Sequence, residues 1–335
     1  MSFVPKIVLI QQEALKYPLG EELKERFNES GIATIVYKNR IPRMFLDTFE
    51  KNFYMAKGIF VVGVWAGSKF QPCRPSADYQ LPLLTGCPGM CEYCYLHTNL
   101  GRRPYIKVNV NVDDIFDRMK KYVWERLPEE TSFEGSATSD PLASESWTGL
   151  LSRTIKVIAT MDKARFRFVT KFSSVENLLD IEHNGKTEIR FSINCRYVLK
   201  FERRVPGLFK RLEASKKVIS AGYPIGFLIA PVMYFEGWEE EYDEMFTVLK
   251  KYIPGDIPVK FELVTHRYTS RAQKNIQEIY PETKIPFEQD KRKFKFGQFG
   301  YGKYVYVDDI MAELKEYFEM KIYRAFPRAS VVYFV

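Results

Sequence analysis

Thr85-Gly86-Cys87-Pro88-Gly89-Met90-Cys91-Glu92-Tyr93-Cys94-Tyr95-Leu96-His97 places three cysteines at a C-x3-C-x2-C spacing, with an aromatic residue immediately before the third. The chain has five cysteines in all, so three in one short loop are not a chance scatter. Cysteine thiolates hold iron–sulfur clusters, and four ligands complete a cubane. Three thiolates from one tight loop leave one iron open to a small molecule. The loop therefore reads as a catalytic cluster site rather than an electron wire. Two other readings use the same residues. Cys87, Cys91, Cys94 and His97 have the donor set of a Cys3His zinc site. Three unrelated buried thiols are the other, because free cysteine is a common core residue.

Outward from the loop, strand and helix patterns alternate. Apolar, β-branched runs predict strands at 80–84, 132–137, 165–171, 188–194, 225–232 and 259–265. Helical patterns fall between them, at 112–126, 147–160, 175–180, 207–221, 239–252 and 270–278. Asn111 with Asp113 and Asp114 is a good start signal for the first of these. A βα unit repeated about six times implies an α/β fold, a partial (β/α)6 TIM-type barrel with right-handed crossovers. Active sites of such barrels sit at the C-terminal ends of the strands, and the cysteine loop follows the first strand. The first seventy or so residues read as a small α/β lobe, with strands at 6–10, 33–37 and 60–65 and a helix at 20–30. Residues 291–306 alternate basic and aromatic side chains around glycines, a β-hairpin pattern. A helix over 309–323 and a strand over 330–334 follow. The expected organisation is an N-terminal lobe (1–76), a barrel (77–285) and a C-terminal hairpin-and-helix extension (286–335).

A chain of 335 residues can bury a large core in one or two domains. No N-terminal signal peptide is evident. The longest apolar runs, at 60–65 and 226–235, are too short to span a bilayer. A cytoplasmic location with reduced thiols is expected, and the odd cysteine count argues against a disulfide framework. A net charge of +8 permits a polyanionic partner without requiring one. Three histidines leave little room for a histidine-rich metal centre.

Several segments together resemble one family. Ala77-Asp78-Tyr79, Cys94-Tyr95-Leu96, Phe133-Glu134 with Thr138-Ser139-Asp140, Phe168-Val169-Thr170-Lys171, His183-Asn184-Gly185-Lys186-Thr187, Phe191-Ser192-Ile193-Asn194 and Gly302-Lys303-Tyr304-Val305-Tyr306 are similar to spore photoproduct lyase. That family belongs to the radical S-adenosylmethionine superfamily, whose cysteine signature the loop matches. The resemblance runs from about Val4 to Phe334. It implies repair of a UV-induced thymine dimer, 5-thyminyl-5,6-dihydrothymine, in duplex DNA of a spore or germinating cell. It implies a [4Fe–4S] cluster on Cys87, Cys91 and Cys94, with S-adenosylmethionine on the open iron. A low-potential electron donor of flavodoxin or ferredoxin type would reduce the cluster. The 5′-deoxyadenosyl radical so formed would take hydrogen from C6 of the dihydrothymine, the bond between the thymines would break, and a thiol would return a hydrogen. The cofactor carries the hard chemistry while the protein orients it and excludes water. Ser139 and Lys171 stand where the methionine carboxylate would bind, Ser192 and Asn194 where its amine or ribose would. Tyr93 and Tyr95 are candidates to relay the radical back to the nucleoside. Packing around the cluster is the plainer role for Tyr93, so Tyr95 is the better relay.

One departure from the family pattern bears on the last step. The best-known members have a cysteine, the hydrogen donor, where this chain has Ala137. Either the position has been blocked by engineering or the donor has moved. Cys73 stands where the family often has serine, and its Pro-flanked segment beside Arg74 favours a reactive, partly exposed thiol. Cys195 has opposite parity to Ser192 and Asn194, so it is expected to point away from the cavity. Cys73 is taken as the donor, with Cys195 the alternative. On the DNA side, enzymes that act on bases extrude them and fill the gap. Lys293, Lys295, Lys303 and Arg267 are phosphate candidates, and Tyr301 or Tyr304 a wedge. Two competing functions remain: a radical S-adenosylmethionine enzyme with another substrate, and a zinc-dependent nucleic-acid-binding protein.

Overall fold

The computed structural model describes residues 3–42, 46–101, 103–296 and 302–335. Its strands in chain order are β1 (Ile7–Gln11), β2 (Thr34–Tyr37), β3 (Ile59–Gly63), β4 (Pro72–Cys73), β5 (Ala77–Gln80), β6 (Leu84–Thr85), β7 (Ile106–Asn109), β8 (Thr131–Glu134), β9 (Ala164–Thr170), β10 (Thr187–Ile193), β11 (Ile225–Val232), β12 (Val259–Thr265), β13 (Arg292–Phe296), β14 (Gly302–Tyr306) and β15 (Ser330–Phe334). Strands buried on both faces read as unbroken apolar runs. All five residues of β3 are buried, as its apolar run implies. Strand β10 is buried throughout as well, although Glu188, Arg190 and Ser192 interrupt its apolar residues.

The larger sheet has the order β15-β12-β11-β10-β9-β8-β5-β4. It is parallel from β5 to β15, with β4 antiparallel at the edge. It curls into the half-barrel of a partial TIM-type fold, as the alternating pattern implied. Helices Val112–Glu125, Leu150–Ala159, Leu208–Ser220 and Trp238–Tyr252 fill the crossovers. The first barrel strand is displaced from its expected place. It is Ala77–Gln80 rather than 80–84, because Pro82 has no N–H for a central ladder. The helix expected over 147–160 is broken at Gly149, whose φ of 58° leaves the helical region.

The smaller sheet has the order β2-β1-β3-β7-β6. The expected lobe boundary at residue 76 lies between β4 and β5. Two strands of this sheet, β6 and β7, come from beyond it, and they flank the cysteine loop. Helix Asp308–Ala325 leads back to β15, which pairs with β12. The chain's last fifty residues are thus divided between the β13–β14 hairpin and the barrel edge. Among the described residues no helix is long and apolar enough to cross a membrane.

Candidate active site

Gly86 opens the cysteine loop with a φ of 84°. A Cβ there would stand 2.1 Å from the Tyr105 carbonyl oxygen, so only glycine fits. Its N–H donates to the Thr138 carbonyl at 2.8 Å, which ties the loop to the segment that follows β8. Beyond it, Cys87, Cys91 and Cys94 all line one cavity of about 370 Å³ at the C-terminal ends of the barrel strands. Val169, Ser192, Leu228 and Val264 form its wall.

The residues suit a cluster. The Gly89 N–H donates to the Cys87 sulfur at 3.3 Å. A Cβ on Gly89 would come within 3.3 Å of that sulfur and 2.9 Å of Val205, so the glycine keeps a cradle open. Burial pushes the Cys87 thiol up to about 12, and Cys91 rises as well. A coordinating metal overrides such a preference by displacing the proton. The zinc alternative fares worse. The His97 Nε2 lies 2.6 Å from the Cys91 carbonyl oxygen, the ring packs edge-on to Phe53, and His97 does not line the cavity. Among the described residues no three His, Cys, Asp or Glu converge as the ligands of a single ion do. The three ligands of a cubane stand farther apart than that.

Beneath the loop lies a residue that the sequence reading missed. Lys57 follows helix Phe49–Ala56 and is 1% exposed. Its ammonium donates to the Cys87 carbonyl at 2.7 Å and the Gly89 carbonyl at 3.0 Å. Both partners are uncharged.

Of the expected cofactor residues, Ser139, Lys171 and Ser192 line the cavity. The Lys171 ammonium donates to Ser192 Oγ and to Glu202 Oε1, each at 2.7 Å, and stands 5.5 Å from the centre of the Tyr93 ring. Glu202 also accepts from Arg211 and from the Tyr93 hydroxyl. Burial alone would raise the Glu202 carboxyl, but Lys171 and Arg211 outweigh it and bring the group to about 2. Asp140 lines the cavity too, and burial lifts it to about 6 against hydrogen bonds from the Lys171 N–H and Thr170. Asn194 is placed otherwise. Its amide donates to the Pro231 carbonyl and its oxygen accepts from the Cys195 N–H, so it is spent on the backbone outside the cavity lining.

Cys73 lies on β4, opposite Ala77 of β5. The reactive thiol expected from Arg74 is not found. Arg74 is largely exposed and pairs with Asp78. Burial, then the Glu134 carboxylate, push the Cys73 thiol up to about 12, so it keeps its hydrogen. Cys73 is outside the cavity lining, but it interacts electrostatically with Tyr95, which lines it. The Tyr95 hydroxyl turns inward and donates to the Ala137 carbonyl. Tyr95 thus joins the cavity lining to the segment that carries Ala137, with Cys73 near enough to act on it electrostatically. Cys195 is fully buried and pushed up to about 11 by burial, facing Tyr242 rather than the cavity.

Towards the hairpin, a second hollow joins Tyr93, Cys94 and Tyr95 to Arg267, Tyr268 and Lys303. Burial and the neighbouring Arg267 and Lys295 charges hold Lys303 below its ordinary value, so three cations are gathered there. Lys293 is instead paired with Asp308. Tyr304 stacks on Tyr268 and meets Phe294 edge-on, so it is packed rather than free to wedge. Tyr301 lies outside the described residues. Phe294 and Phe296, 52% and 74% exposed, are the hairpin's bare aromatics. Their alternation with lysines was the signal for them.

The sequence profile of the spore photoproduct lyase family matches residues 3–335. The chain belongs to that family. Spore photoproduct lyase of Geobacillus sp. (strain Y412MC61) is 45% identical over 337 residues, 99% of each chain. Spore photoproduct lyase of Bacillus subtilis (strain 168) is 44% identical, over 99% of this chain and 98% of its own. A solved spore photoproduct lyase superposes with a TM-score of 0.97 at 45% identity over the whole of both chains. It is a double mutant, one cysteine to alanine and one serine to cysteine, with bound AdoMet and dinucleoside spore photoproduct. Another, complexed with dinucleoside spore photoproduct, gives 0.97 at 44% identity, again over the whole of both chains.

Proposed function

We propose that this chain is a radical S-adenosylmethionine lyase that returns spore photoproduct in DNA to two thymines, with Cys73 as its hydrogen donor. The observation that carries the reading is the single cavity onto which Cys87, Cys91, Cys94, Ser139, Lys171 and Ser192 converge, in a chain aligned end to end with spore photoproduct lyases. Cys87, Cys91 and Cys94 would hold a [4Fe–4S] cluster, which with S-adenosylmethionine supplies the hydrogen-abstracting radical. The Lys171 ammonium, already fixed by Glu202 and Ser192, offers a cation to a carboxylate, and Ser139 and Ser192 offer hydroxyls beside it. Apolar walls from β9, β11 and β12 exclude water from a reactive centre. After the dimer bond breaks, the Cys73 S–H gives its hydrogen to the thymine carbon radical. Tyr95, with Tyr93 as the second candidate, would return a hydrogen to the sulfur and draw it in turn from the nucleoside.

The missing cysteine at 137 and the added one at 73 reproduce, in kind, the pair of exchanges in the solved double mutant that holds AdoMet and the dinucleoside. Lys295, Lys303 and Arg267 would take phosphates of duplex DNA, and Phe294 and Phe296 the space beside an extruded lesion. The electron would come from a small low-potential carrier of flavodoxin or ferredoxin type.

The test is anaerobic repair of dinucleoside spore photoproduct by the reconstituted, reduced protein, beside Cys73→Ala. Clean thymine from the parent and aberrant adducts from the variant are expected. Clean thymine from both would remove Cys73 from the reaction.

A further inference from the structure

The floor of the cavity is ionic. Arg167 of β9, Arg190 of β10 and Glu262 of β12 each lie two residues before a wall residue, so they face the same way one layer lower. Glu134, at the end of β8, joins them. Arg190 bridges Glu134 and Glu262, and Arg167 bridges Glu262 and Glu188. Arg190 is 2% exposed and Glu134 equally buried.

A buried ion lattice is weak evidence for stability, since apolar residues fill a barrel as well. What sets this one apart is where its spare hydrogen bonds go. Glu134 Oε2 accepts from the Ser76 hydroxyl at 2.6 Å. Arg190 donates to the same hydroxyl at 3.2 Å, and Arg167 to the Ser76 carbonyl at 2.5 Å. Ser76 is three residues past Cys73, in the turn that joins β4 to β5. Glu134 Oε1 accepts from both the N–H and the hydroxyl of Ser136, the residue before Ala137. One carboxylate thus grips, with its two oxygens, the two loops that carry the family's donor position and this chain's own.

We propose that the Glu134–Arg190 pair is a positioning device for the hydrogen donor, setting the Cys73 thiol against Tyr95 through Ser76. This rests on the reading of Cys73 as donor. The fixed carboxylate also faces the thiol and disfavours its ionisation, and hydrogen-atom transfer requires an intact S–H. The transfer breaks the S–H bond and forms one C–H bond on the thymine carbon, and the sulfur radical takes its hydrogen back from the Tyr95 hydroxyl. A loop without its tether would hold the thiol at a distribution of distances, and the thymine radical would survive long enough to combine with reductant.

Ser76→Ala removes the two hydroxyl bonds of the tether, to Glu134 and Arg190, while leaving the Arg167 bond to the Ser76 carbonyl and the ion lattice in place. 5′-Deoxyadenosine, lesion consumed, thymine, and reductant adducts are measured on one sample. Lesion consumption is expected to stay near that of the parent, while the ratio of adduct to thymine rises about tenfold, the loss of hydrogen bonds to charged groups. Ser76→Thr, which keeps the hydroxyl, is expected to restore the parent ratio. An unchanged ratio in Ser76→Ala overturns the proposal. So does a parallel fall of lesion consumption and thymine, which is what simple destabilisation produces. Cys73→Ala run alongside separates the two levels: if it still yields clean thymine, the donor reading itself has failed.

Discussion

Replacing Lys57 by methionine strikes the cysteine loop from below without touching a ligand. The ammonium makes two hydrogen bonds, to the Cys87 and Gly89 carbonyls, and its stem is buried under the loop. Hydrogen bonds from a charged donor contribute about 1.5–3 kcal/mol each. Part of that is offset because the buried cation, whose partners are both neutral, is costly to desolvate. Methionine fills similar space but leaves two carbonyls without their donor. A net loosening of about 3 kcal/mol follows, or roughly 100-fold in the hold on iron. The assay is reconstitution of both proteins under argon, then the rate at which an iron chelator bleaches the cluster absorbance. Thermal unfolding of the metal-free proteins, run in parallel, shows whether the fold itself has suffered. Equal bleaching rates in parent and Lys57→Met, with both chains folded, would refute the reasoning and leave Lys57 as packing alone.

Two further outcomes follow from the charges. Binding of lesion-bearing duplex DNA is expected to weaken with salt, and Lys303→Ala or Lys295→Ala to lower the slope of log K against log salt by about 0.9 for each phosphate lost. Lys293→Ala, whose parent side chain is engaged by Asp308, should leave the slope unchanged; equal effects of all three would contradict the placement. His266 is held down to about 3, first by burial and then by the adjacent Arg292 guanidinium. Its folded value is depressed, so the stability it contributes is present above pH 6.5 and is lost as pH falls towards 3. That is about 2 kcal/mol by pH 5. Asp140, raised by burial to about 6, works in the opposite direction over the same interval. Because Asp140 offsets more than half of this, the parent's urea midpoint is expected to fall only slightly from pH 7 to pH 5, and that of His266→Gln to rise over the same interval; the same pH dependence in parent and variant would exclude His266.

Strands β11 and β12 were legible residue for residue, because their apolar runs are long and bounded by helices with clear polar faces. The cysteine loop was legible for a different reason: its chemistry fixes its spacing. Strands β6 and β7 were not seen: two residues of β6 carry no period, and the four-residue alternation of β7 is too short to stand out beside the cysteine loop. The missed site residues share another cause. Lys57, Glu134, Arg190 and Glu202 are charged, and a charged residue in a sequence reads as a solvent-facing one. Their partners lie far along the chain, 56 residues between Glu134 and Arg190 and 30 between Lys57 and Cys87. No local pattern announces such pairs. Cys73 was found by its identity, yet its surroundings were misjudged because Arg74 adjoins it in sequence and not in space.

Strand β15 gives the barrel its far edge. The Val335 N–H donates to the Leu263 carbonyl at 3.0 Å, and the Thr265 N–H to the Val335 carbonyl at 2.6 Å, next to the cavity residues His266 and Arg267. During synthesis these bonds form last, because residues 330–335 leave the ribosome after everything they pair with. Until then the sheet has an unpaired rim beside the cysteines, and chains fold from the N-terminus as they emerge. The half-barrel therefore closes this edge late: β8 to β12, which wall the cavity, can pair as they emerge, and β15 adds the outer ladder only after all of them have been made.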